Sequence, residues 1–74
     1  MPISHDITRI FREERQHALA TLIRVVGDWD AAEESLQEAF EAAIVKWPID
    51  GVPDQPRAWL LRAARNKAID RVRR

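Results

Sequence analysis

Trp59, Arg62, Asn66 and Lys67 lie three, four and one residues apart near the C-terminus of this 74-residue chain. On a helix that spacing gathers them on one side, and Arg73, Asp70 and Ala63 fall on the same arc, with Arg74 beside it. Cations interleaved with an indole around a single amide are the groups that nucleic-acid recognition uses. Arg and Lys neutralise phosphates, Trp stacks on a base, and Asn reads a base edge through paired hydrogen bonds. The plainer reading is that Trp59 packs under the preceding loop and the arginines only keep a helix face in water.

A second cluster has the opposite sign. Glu34, Gln37, Glu38 and Glu41 share an arc bordering an apolar stripe, either as a solvated face or as a surface that docks on a basic helical partner. The two clusters belong to a wider polarity. Residues 28–50 hold seven acids and one base, and residues 55–74 hold seven bases and one acid. The formal net charge of zero therefore conceals two oppositely charged halves, which implies two different partners or one folded contact between them.

Catalysis is not expected. His17 has Ala20 and Thr21 where a second helical ligand would stand, His5 lies at the N-terminus, and there is no Cys, so no metal site is predicted. The two glycines, Gly27 and Gly51, are too far apart to form a phosphate loop, no nucleophile lies beside a base, and the carboxylates sit on a convex helix face. Neither an enzyme nor a cofactor is expected. Nothing reads as a signal peptide or a membrane span, so a soluble, cytoplasmic protein is expected.

Three helices must position these groups, with no strand-like alternation and no repeat. The first is predicted over about 6–26, with Ile7, Phe11, Ala18, Leu22 and Val25 inward and Gly27 as its stop. The second, about 31–47, opens on Asp30 as N-cap with Glu33 completing a capping box and closes before Pro48. Its inward stripe is Ala32, Leu36, Ala39, Phe40, Ala43, Ile44 and Trp47. The segment PIDGVPDQP, residues 48 to 56, then reads as a stiff loop. Asp54 is the expected cap of the third helix, about 55–73, with Pro56 in its first turn and Leu60, Leu61, Ala64, Ala68 and Val72 inward, Ile69 flanking. The fold class is all-α, a small bundle of three main helices forming one domain over 1–74. At 46% apolar residues the core is small enough that Trp47 and Phe40 should be essential to it.

Two strings, DAAEESLQEAF at 30–40 and RAWLLRAARNKAIDRVRR at 57–74, resemble region 2 of bacterial RNA polymerase sigma factors of the extracytoplasmic-function group. The resemblance runs from about Phe11 to the end. It implies a domain that docks on the coiled coil of the polymerase beta-prime clamp, recognises the promoter −10 element and helps to open the duplex. By position it implies a polymerase-facing set of Glu34, Gln37, Glu38, Phe40 and Ile44. The DNA-facing set it implies is Trp59, Arg62, Ala63, Asn66, Lys67, Arg73 and Arg74 with Ile49, Asp50, Gly51 and Val52 of the loop, which in the family receives a flipped base. Its partners would be RNA polymerase core and single-stranded promoter DNA, with an anti-sigma protein as a further candidate and no membrane.

Two features depart from the pattern. The loop has no aromatic residue, and Ala63 stands where a polar base-contacting side chain can occur, which leaves Asn66 as the main candidate for direct readout. The chain also ends at Arg74, so the second domain that binds the −35 element is absent, and an excised domain or a partial factor is expected. A competing reading is a helical protein-interaction module that self-associates, acidic face to basic face. A third, a helix-turn-helix binder of duplex DNA, is disfavoured by the length of the 48–56 loop.

Overall fold

The computed structural model describes residues 3–73, with side chains described from 7 to 71. These fold into three helices, α1 (Ile3–Val26), α2 (Trp29–Asp50) and α3 (Pro56–Arg73), each packed on both of the others. Gly27 ends α1 at φ +80°, its N–H donating to Ile23 O at 2.7 Å. At this φ a side chain would be strained, which is why glycine stands here.

The cap of α2 lies two residues earlier than the capping-box pattern indicates. Asp28, in extended backbone, accepts from Asp30 N–H at 3.1 Å, and its carbonyl accepts from Ala32 N–H at 3.0 Å. The turn at Gly27 delivers Asp28 in the non-helical conformation that an N-cap needs. Glu33 is thereby freed from capping and reaches Arg15 of α1 at 3.5 Å.

The other end of α2 differs more. Pro48 does not stop the helix, which runs to Asp50 with Pro48 inside it. Proline removes one donor, and three residues from the helix end that is one hydrogen bond lost from a turn held by other means. Trp47, 1% exposed, anchors this turn in the core, and Gly51 at φ +92° closes it by donating to Trp47 O at 2.8 Å. The loop is accordingly 51–55, so that Ile49 and Asp50, expected in it, are helical. Asp54 does not cap α3 either. The helix begins at Pro56, and Gln55 takes the cap place, its carbonyl accepting from Trp59 N–H at 3.1 Å.

The core is built from Ile7, Ala18, Leu19 and Leu22 of α1, most of the predicted stripe of α2, and Leu60, Ala64 and Ala68 of α3. Through it runs a chain of aromatic rings. Phe40 stacks on Phe11 at 4.1 Å, Phe11 meets Trp47 at 6.1 Å, and Trp47 takes the edge of Trp59 at 5.3 Å. Successive contacts cross from α2 to α1, back to α2 and on to α3, so the rings tie all three helices together. Two residues expected inward are not: Val25 is 58% exposed and Ile44 55%. Each lies at the edge of its stripe, beside a groove shared with a neighbouring helix rather than under it. The Val72 side chain lies outside the described residues.

Candidate functional site

Ion pairs bridge every pair of helices. Arg57 of α3 grips Glu14 of α1 through two nitrogens, Arg15 reaches Glu33, and Arg71 of α3 donates to Ser35 and Glu34 of α2 and forms an ion pair with Glu38. Its Nη1 bonds Ser35 Oγ at 2.9 Å, and its Nη2 lies 2.7 Å from Glu38 Oε1 and 3.2 Å from Glu34 Oε1. The opposed charges of α2 and α3 are thus partly consumed in a contact inside the fold. Ser35 is fully buried, and its hydroxyl accepts one of the Arg71 hydrogen bonds. A serine within an alanine-rich stripe is a faint signal that sequence reading passed over.

The Arg57 hydrogen bond, with the adjoining positive charge, holds the Glu14 carboxyl below its ordinary range and pushes the Arg57 guanidinium up. A lowered acid contributes stability above its unfolded pKa and loses it as pH falls through the folded value. Wild type should therefore melt higher than Glu14→Gln at neutral pH, and the gap should close at acid pH below the usual glutamate range. Thermal melts of the two proteins across that range check this, and a gap that persists in strong acid would refute it.

The predicted polymerase-facing set separates into three places. Glu34, Gln37 and Glu38 line an open, mainly acidic recess together with Asp30, Glu33 and Glu41 and one cation, Arg15 of α1. Phe40 is 4% exposed and lies in the core beneath that surface. Ile44 stands apart beside a small apolar groove with Ile7, Phe11 and Pro48.

The predicted DNA-facing set divides similarly. Arg62, Asn66 and Lys67 are exposed on α3 and, among the described residues, have no ion pair or side-chain hydrogen bond. Trp59 and Ala63 are half-buried against the core, the Trp59 ring meeting Trp47 edge to face. The wheel placed both residues outward because it counted one packing partner, whereas α3 packs on two. Ile49 is 81% exposed, Asp50 and Gly51 are exposed, and Val52 packs on the core. The side chains of Arg73 and Arg74 lie outside the described residues, as does that of His5. Arg65, which sequence reading left out of the set, lines the same groove as Arg62 and Asn66.

Among the described residues no cluster of three potential metal ligands occurs, and no helix is long and apolar enough to cross a membrane. Residues 10–74 match the family model of Sigma-70 region 2. The chain belongs to this family. The region 2 match contains both strings that carried the resemblance, and the three-helix architecture agrees with it. An uncharacterized protein of Rhizobium meliloti (strain 1021) is 45% identical over 60 residues, which cover 81% of this chain and 14% of that protein. The chain thus spans about one seventh of the length of this relative. No solved structure matches. Sigma-70 region 2 is a DNA-binding domain of transcription initiation factors.

Proposed function

We propose that this domain works in a sigma factor of the extracytoplasmic-function group, in the cytoplasm, docking on the beta-prime clamp coiled coil through the acidic recess and recognising and helping to open the promoter −10 element through α3. One observation supports this above the others. After the internal ion pairs are formed, Arg62, Arg65 and Lys67 of α3 remain unpaired around Asn66, while Gln37 and Glu41 remain exposed in the recess of α2. Cations left over from folding are available to phosphates, and the Glu41 carboxylate and Gln37 amide left over are available to a basic helix. Self-association by charge has less support, because Arg71 already satisfies part of that complementarity within one chain.

Readout and attraction separate on α3. Asn66 has a short amide able to reach a base edge, and Arg62 and Lys67 flank it as phosphate contacts. Arg62→Ala is expected to weaken all promoter sequences alike and to flatten the salt slope by about 0.7 to 0.9. Asn66→Ala should instead cost about 1 to 3 kcal/mol at one base position and leave the slope unchanged. Binding to forked promoter fragments at several salt concentrations, with polymerase core present, decides it. If Asn66→Ala lowers affinity equally for every base, Asn66 does not read sequence.

A further inference from the structure

The outward half of α1 carries two residues that the packing leaves unexplained. Val25 is 58% exposed in a helix, where a branched apolar side chain is helped neither by burial nor by propensity. Thr21, one turn earlier, is exposed, and its hydroxyl makes no hydrogen bond within the described residues. Both line one wall of a groove of about 230 Å³ whose opposite wall is Arg62, Arg65 and Asn66 of α3, with buried Leu22 also among the lining residues. No acid lines it. Its size falls below the roughly 300 to 1,000 Å³ of pockets for drug-sized ligands, leaving room for about one ring system.

Resting on the promoter reading above, the geometry points to this groove as a base-binding site built jointly by α1 and α3. A base of single-stranded DNA enters it with Val25 against the ring or its methyl group. The Thr21 hydroxyl and the Asn66 amide meet the polar edge, and Arg62 and Arg65 take the flanking phosphates. Hydroxyl, amide and methyl contacts are those that read base edges, thymine's methyl included. An acidic peptide would use the two arginines but would leave Val25 and the amide without a purpose, which is why a base is favoured.

The full chain is titrated at low salt with three forked DNAs that differ only in a single-stranded arm of thymidine, deoxyuridine or abasic residues. Wild type should bind the thymidine arm about fourfold more tightly than the deoxyuridine arm, the value of one buried methyl, and the abasic arm weakest. Val25→Ala should bring the thymidine to deoxyuridine ratio close to one without changing affinity for the abasic arm. Thr21→Ala should narrow the gap between deoxyuridine and abasic arms. Both variants place alanine at exposed helical positions, where it favours the helix, so loss of fold does not confuse the result. A wild-type ratio near one, or a Val25→Ala ratio equal to that of wild type, overturns the groove while leaving the promoter reading intact if Arg62→Ala still weakens every arm. An Arg62→Ala variant that binds all arms like wild type overturns the promoter reading and the groove with it. Displacement of the thymidine arm by a polyglutamate peptide, in a wild type blind to the methyl group, assigns the groove to an acidic peptide instead.

Discussion

Trp47→Ala is expected to leave this chain largely unfolded at room temperature, with most of its far-UV circular dichroism lost. Trp47 is 1% exposed and stands at the middle of the ring chain, touching Phe11 of α1 and Trp59 of α3. Truncating a buried aromatic costs about 3 to 5 kcal/mol, which is comparable to the about 3 to 5 kcal/mol that a core of this size supplies. The residue has a second task, since it anchors the helical turn that contains Pro48 and whose carbonyl Gly51 closes. Without the indole, that turn keeps its missing donor and loses its attachment. Trp47→Phe separates packing from polarity. Among the described residues Trp47 Nε1 is a buried donor with no partner, a state that costs about 1 to 3 kcal/mol, so removing the N–H offsets part of the lost volume. Phenylalanine should thus retain a cooperative melt at a reduced temperature. If Trp47→Ala melts cooperatively near the wild-type temperature, the ring chain is peripheral to stability.

Most of the core was legible in the sequence because apolar spacing on a helix depends on local geometry alone. Trp47, Leu36, Leu60 and the alanines of α2 lie where the period of 3.6 puts them. The errors fall where a neighbouring element decides. Intrinsic propensity makes Pro48 a helix stop, but the anchoring of Trp47 outweighs one missing hydrogen bond. Asp30 fits a capping-box pattern, yet Asp28 holds the position because Gly27 turns the chain into the cap conformation first. Helical spacing with one buried side puts Trp59 and Ala63 outward, whereas α3 has two neighbours. The candidate surfaces were legible as charge, since both signs are segregated along the chain. Which charges are consumed internally was not legible. Arg71 and Glu38 lie 33 positions apart, and only the crossing of α2 and α3 brings them to 2.7 Å.

That pairing sharpens the test of the acidic recess. Glu38→Lys is expected to abolish measurable binding to the isolated clamp coiled coil. Removing one partner of a charged contact in a desolvated interface costs about 2 to 5 kcal/mol, or about thirtyfold to several thousandfold in affinity, and the reversed charge adds repulsion. The same substitution also sets an ammonium beside the Arg71 guanidinium, so a loss of binding could report damage to the fold. Half-exposed ion pairs contribute little, with a median of about 0 to 1 kcal/mol, so Glu38→Lys should lower the melting temperature slightly and keep the helical signal. Arg71→Ala provides the decisive comparison. It breaks the same internal pair and also frees Glu34 and Ser35, but it leaves the carboxylates of the recess in place. If Glu38 serves the partner, Arg71→Ala binds the coiled coil as well as wild type or more tightly, because the two carboxylates no longer share their charge with α3. If Glu38 serves only the fold, the two variants lose stability together and bind alike. A pull-down with the isolated coiled coil, run beside thermal melts of both variants, distinguishes these cases, and wild-type affinity in Glu38→Lys would remove the recess as the docking surface.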